Sequence, residues 1–130
     1  MHDTFMIVGE EFRNVEKDGQ ITGFQIGARL PYYRGIPLAL FGNLELTVDG
    51  EQFPRDRISV TVHGNTYTLD EMETEIEDRW EFGEVGIVTV EKPGGLQPGE
   101  HKVELKELVL MTYVPEGFGG QDTKVLQLAG

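Results

Sequence analysis

The chain has 130 residues, with 11 Lys and Arg against 23 Asp and Glu, a net charge of −12 at pH 7. At 38% hydrophobic and 26% charged it reads as one globular domain over 1–130, without the apolar poverty of a disordered chain. The acidic balance excludes a phosphate-binding surface built on clustered Lys and Arg, and excludes docking on an anionic membrane. Zero cysteines exclude a disulfide framework, a thiolate metal site and a cysteine nucleophile.

The N-terminus has no basic stretch followed by a long apolar one, and no window approaches about 18 consecutive apolar residues. The expected location is cytoplasmic.

In chain order, the first turn signal is Lys17-Asp18-Gly19-Gln20, whose Asp-Gly pair favours a tight hairpin. Phe24, Ile26, Ala28 and Leu30 then alternate with polar or small residues, as a strand with one buried face does. Next comes Pro31-Tyr32-Tyr33-Arg34-Gly35-Ile36-Pro37-Leu38. Two prolines stiffen this loop, and adjacent tyrosines on extended chain point to opposite sides, so both cannot enter one core. Tyr and Arg are residues that dominate contact surfaces.

Leu44, Leu46 and Val48 alternate into a second Asp-Gly turn at Asp49-Gly50. Ile58, Val60 and Val62 alternate into His63-Gly64-Asn65, a third hairpin joined to a strand at 66–68. Thr68-Leu69-Asp70-Glu71 is a capping-box pattern and predicts one short helical turn, the only helix expected.

From Asp70 to Glu84 there are eight acids and one cation, Arg79, with Glu73, Glu75 and Glu77 at period two. Three readings stay open: a solvated edge that discourages strand-to-strand aggregation, a docking surface for a basic partner, or a Ca²⁺ site, although the spacing matches no Ca²⁺ loop. The segment closes on Arg79-Trp80-Glu81-Phe82-Gly83-Glu84. There Trp80 reads as a core anchor, with Arg79 and Glu81 on the opposite face.

Further strands are expected at 85–91, 100–114 and 124–128. The apolar phase changes near Lys106-Glu107, which predicts a β-bulge that restores the inward face. The Gly-rich stretch 113–121, with an isolated Phe118, reads as a mobile loop ordered by a partner. Eight or nine short strands predict an all-β fold, a β-sandwich or jelly-roll-like architecture.

The three histidines, His2, His63 and His101, are far apart and lack paired ligand spacing, so they read as surface or turn residues and no metal site is expected on this chain. No Gly-x-Ser-x-Gly elbow and no Gly-rich phosphate loop after a strand occurs.

Seven motifs run in order across nearly the whole chain: Phe12-Arg13-Asn14-Val15, Gly23-Phe24-Gln25, Tyr32 to Leu38 as above, Val48-Asp49-Gly50-Glu51, Tyr67-Thr68-Leu69-Asp70-Glu71-Met72, Arg79 to Glu84, and Gly94-Gly95-Leu96 followed by Gly99-Glu100-His101. Taken together the set resembles the small (beta) subunit of bacterial C-glycoside deglycosidases.

The resemblance implies a β-sandwich paired with a larger alpha subunit, a TIM-barrel protein related to sugar-phosphate isomerases and epimerases. The complex would cleave the C–C bond between a 3-oxo-sugar and an aromatic aglycone. A divalent metal of the Mn, Mg or Zn class and the catalytic base would sit on the alpha subunit, with no cofactor on this chain. No catalytic residue carries over onto it. Tyr32, Tyr33, Arg34, Arg79 and Phe118 are the residues expected at the partner's active-site rim. The competing reading is a free-standing β-sandwich carbohydrate-binding module that stacks sugar on Tyr32, Tyr33 and Trp80.

Overall fold

A computed structural model of the chain describes residues 6–30, 35–81, 83–111 and 114–128, with the side chains of 111 and 114–118 left aside. The fold is all-β, and its strands pair antiparallel throughout. A five-stranded sheet has the order β1 (Ile7–Lys17), β2 (Gln20–Ala28), β9 (Gly86–Glu91), β6 (Ile58–Val62), β7 (Asn65–Thr68). A four-stranded sheet has the order β11 (Val114–Leu128), β10 (Gly99–Met111), β4 (Phe41–Val48), β5 (Glu51–Gln52). A third, two-stranded ribbon joins β3 (Ile36–Pro37) to β8 (Arg79–Trp80).

Period-two patterning explains why the two large sheets face each other. Phe24, Ile26 and Ala28 on β2, Val60 on β6 and Val88 and Val90 on β9 are buried from one side, and Leu44 and Leu46 on β4 and Val103 and Leu105 on β10 from the other. They belong to one continuous apolar cluster. Each of these side chains larger than Ala28 contributes about 2 kcal/mol when taken out of water, and neither sheet alone could bury its apolar face.

The three predicted hairpins form. Asp18-Gly19, Asp49-Gly50 and His63-Gly64 each place two successive residues at positive φ, between +52° and +86°. That is the two-residue turn whose twist matches the flanking strands. The predicted helical turn also forms, as α1 (Leu69–Met72). Thr68 Oγ1 accepts the Glu71 N–H at 3.1 Å and the Glu71 carboxylate accepts the Thr68 N–H at 2.8 Å. Among the described residues two 3₁₀ turns, Leu38–Leu40 and Arg55–Arg57, add to it.

Two expectations fail in the last third of the chain. No bulge occurs at Lys106-Glu107, where β10 pairs in unbroken register with both neighbours. His101, Val103, Leu105, Glu107 and Val109 all face inward, so the apparent change of phase is a carboxylic acid placed in the core. The register slips one step later, where Leu108 opposes Asn43 and Val109 opposes Phe41, leaving Gly42 as the extra residue.

The second correction concerns 113–121. Strand β11 begins at Val114, not at 124, and Phe118 lies opposite Val109 as strand rather than in a loop. A loop there would have left the outer main-chain groups of Leu105 to Val109 unpaired, and Gly119 and Gly120 complete that ladder opposite Leu108 and Glu107.

Candidate functional site

Of the residues expected at a partner's rim, Arg79 lies on the two-stranded ribbon. The β3–β8 ribbon sets Ile36 opposite Trp80 and Pro37 opposite Arg79. Main-chain bonds from Leu38 N–H to Asp78 O (3.1 Å) and from Ala39 N–H to Glu75 O (2.9 Å) bind the acidic segment to this ribbon.

Trp80 is 0% exposed. Its ring packs on Phe41 with centroids 5.3 Å apart, and its indole N–H donates to Glu84 O at 2.8 Å. Trp80 is therefore the core anchor that its alternation with Arg79 and Glu81 predicts. It offers no face for sugar stacking, which removes one of the three platforms of the carbohydrate-module reading. Arg79 faces outward, half-exposed, with its Nε 3.0 Å from a Glu81 carboxylate oxygen.

Phe118 stands in a cross-sheet row with Val109 and Phe41, and the Phe41 ring meets Trp80. That row places the Phe118 backbone at the same end as Arg79. Tyr32, Tyr33 and Arg34 lie outside the described residues, whose flanks are Leu30, buried in the core, and Gly35, next to β3.

The acidic run is neither an extended edge nor plain solvated charge. Glu73 and Asp70 accept from the Arg55 guanidinium at 2.6 and 3.1 Å, and the same Arg55 donates to Asn43 at 2.7 Å. One Glu75 oxygen accepts the N–H groups of Glu77 and Asp78, each at 3.0 Å.

Asp78 is the hub of this segment. It faces His63 Nδ1 at 2.9 Å, accepts the Tyr67 hydroxyl at 2.7 Å and the Asn65 amide at 3.3 Å, and takes the Arg79 N–H at 2.9 Å. The His63 and Tyr67 hydrogen bonds hold its carboxyl down to about 2. The same Asp78 bond raises Tyr67 to about 12 and raises His63 as well. His63 Nε2 lies 2.5 Å from a Glu84 carboxylate oxygen.

His101 is not a surface histidine. It is buried against the Phe12 ring, with Nδ1 2.5 Å from Asp49 and Nε2 2.7 Å from the Gln97 carbonyl. Desolvation pulls its pKa down, but the Gln97 carbonyl and the Asp49 carboxylate outweigh that pull, and the net shift is upward.

Glu107 is fully buried, neither of its oxygens has a hydrogen-bond partner, and burial pushes its carboxyl well above the usual range. Asp122 on β11, whose cross-strand partner Leu105 lies two residues before Glu107, is also buried. Its Oδ2 accepts the Ile7 N–H at 2.9 Å, while its Oδ1 is unpaired. Sequence reasoning missed Glu107 because an acid at an inward position mimics a change of strand phase. It missed the Asp78 hub because the partners come from a separate hairpin.

On the outward side of the same sheet, Asn43, Glu45, Lys106, Leu108, Gly119, Gly120 and Gln121 line an open depression of about 470 Å³. Among the described residues no group of three or more His, Asp or Glu is placed to hold a metal ion, and no helix is long and apolar enough to cross a membrane.

Comparison with known proteins fits this arrangement to a family. A family model described as C-glycoside deglycosidase beta subunit matches residues 2–113, which takes in every strand except β11. The chain is 36% identical over 105 residues to the C-glycoside deglycosidase beta subunit of Eubacterium cellulosolvens, covering 80% of this chain and 71% of that one. It is 32% identical over 95 residues to a 3'-dehydrocarminate deglycosidase beta subunit from a Microbacterium species, covering 72% and 70%. A third relative, a C-glycoside deglycosidase beta subunit of Arthrobacter globiformis, is 24% identical over 120 residues, covering 88% and 89%. This chain belongs to the C-glycoside deglycosidase beta subunit family.

Proposed function

We propose that the chain, as one domain over 1–130, is the small accessory subunit of a heteromeric C-glycoside deglycosidase. In this reading it supports a larger TIM-barrel alpha subunit, related to sugar-phosphate isomerases, that carries a divalent metal of the Mn, Mg or Zn class and the catalytic base. The observation that carries the reading is the beta-subunit match over residues 2–113. The name of one relative, a 3'-dehydrocarminate deglycosidase subunit, supports a sugar oxidised at the 3-position as the reacting group.

The chemistry follows from that oxidation. A 3-keto group acidifies the neighbouring C2–H. A base would remove that proton. A C1=C2 bond conjugated with the 3-keto group would form as the C1–C bond breaks, and the aglycone carbon would leave with the bonding pair and take up a proton. A metal held by the partner would supply Lewis-acid stabilisation of negative charge at the 3-keto oxygen. The present chain contributes Tyr32, Tyr33, Arg34, Arg79 and Phe118 to the contact around the partner's active-site rim, where they order partner loops and exclude water. The outward Arg79, held on the buried Trp80 anchor, supports that role. A soluble cytoplasmic complex is the setting of the proposal.

Co-expression of the tagged chain with an isomerase-like protein encoded beside it tests this reading. The expected result is a stable complex that cleaves a 3-oxo C-glycoside. A chain that elutes alone while the neighbour cleaves unaided overturns it.

A further inference from the structure

The turn between β6 and β7 places a histidine where Asn, Asp or Gly usually sits, with His63 at φ 54° ahead of Gly64. Each of its two ring nitrogens faces a carboxylate, Asp78 on Nδ1 at 2.9 Å and Glu84 on Nε2 at 2.5 Å. A neutral imidazole carries a single N–H, so only the imidazolium donates to both acids.

The other groups turned toward this point favour the charged form. From β7 come the neutral Asn65 and Tyr67, both on Asp78. From the acidic segment come Asp78 and Glu84, with Glu75 beside Tyr67, while Arg79 of the same segment bonds Glu81.

The two ends of this link are unequal. Asp78 keeps three further donors, Tyr67, Asn65 and the Arg79 N–H. Glu84 keeps the Glu81 N–H on its Oε1, and the oxygen facing His63 has that ring as its bonded partner among the described residues. The main chain of Glu84 also receives the Trp80 indole.

We infer that His63 is a proton-operated tie: as an imidazolium it fastens Asp78 and Glu84 to the β6–β7 turn and holds Arg79 and Trp80 in place, and as a neutral ring it lets the Glu84 end go. Losing the proton removes one of the two donors. The acid with fewer other partners is the one released, and the acceptor of the Trp80 indole then moves. The tie is a property of this chain alone and stands whether or not the partner reading holds. His63 is a positioning residue in this scheme and touches no substrate.

The test uses the full chain in solution by NMR, with the single Trp as reporter. The ring nitrogens of His63 should both be protonated at pH 6, and the Trp80 indole N–H shift should follow the His63 titration with the same midpoint. His63→Asn, which tolerates the left-handed turn, should leave the indole shift flat across that range. Glu84→Gln should lower the His63 midpoint, and this arm remains decisive if His63→Asn fails to fold. A neutral, singly protonated His63 at pH 6, an indole signal that ignores the titration, or a midpoint unchanged in Glu84→Gln each overturns the inference.

Discussion

Asp122 near the end of the chain accepts the main-chain N–H of Ile7 near its start, at 2.9 Å, and the neighbouring Lys124 ammonium donates to the Ile7 carbonyl at 2.6 Å. One residue of β1 is thus held at both its polar groups by two side chains of β11. The first strand of one sheet is fastened to the last strand of the other. Inward-pointing charges on a strand at a sheet edge also oppose pairing with another chain.

Asp122→Ala should therefore destabilise the fold by about 1–3 kcal/mol, because it leaves a buried N–H without an acceptor. Asp122→Asn retains an acceptor and should cost less. Denaturant unfolding of the two variants checks the order, and equal stability of Asp122→Ala and the parent chain would show that the clasp contributes nothing.

Glu107 gives a prediction of opposite sign. Burial raises its carboxyl above the ordinary value of 4.5, so the folded chain prefers the protonated acid. The stability linked to that proton is fully present below about pH 4.5 and is lost as pH rises through the raised folded value. Glu107→Leu removes two unpaired buried oxygens and should stabilise the chain by about 1–3 kcal/mol at pH 8, with a smaller gain at pH 4. Chemical denaturation at the two pH values checks it. A loss of stability at pH 8 would mean that the carboxylate has a partner there.

Trp80 separates core from contact surface. Trp80→Phe loses the indole bond to Glu84 and some ring volume, and should cost about 1–3 kcal/mol by thermal or denaturant unfolding. Arg79→Ala removes an exposed side chain paired with the exposed Glu81, and should leave stability within about 0.5 kcal/mol. A large loss of stability in Arg79→Ala would make Arg79 part of the fold rather than of the rim.

Local signals in the sequence were read correctly wherever the deciding residues are neighbours. The Asp-Gly turns, the Thr68 capping box and the alternation of β2, β4 and β6 each depend on a few adjacent residues and on the two-residue period of a strand. Errors began where distant partners decide. Glu107 breaks the apolar pattern without breaking the strand, because the ladder of β10 is fixed by β4 and β11 on either side. Gly119 and Gly120 suggest a loop, yet the unpaired edge of β10 recruits them into β11. His101 looks exposed until Asp49 arrives from the β4–β5 turn, 52 residues away. At the candidate site, the division of Trp80 to the core and Arg79 to the surface was legible from alternation. The Asp78 hub was not, since His63 and Tyr67 reach it from a hairpin 11 to 15 residues earlier.

The rim itself is open to a direct test. Replacing Tyr33 and Arg34 together by Ala should weaken co-purification with the alpha subunit and lower its turnover, while circular dichroism remains that of a β-sandwich. A double variant that assembles and turns over normally would move the contact elsewhere, and a collapsed fold would assign both residues to the core.

The most direct measurement is reconstitution. The proposed alpha subunit, purified and supplied with a divalent metal, is titrated with this chain while cleavage of a 3-oxo C-glycoside is followed by release of the aglycone. If the chain is the accessory subunit, activity rises with added chain and saturates at a fixed molar ratio. If the alpha subunit is equally active without it, or the rate never responds to it, the account is contradicted.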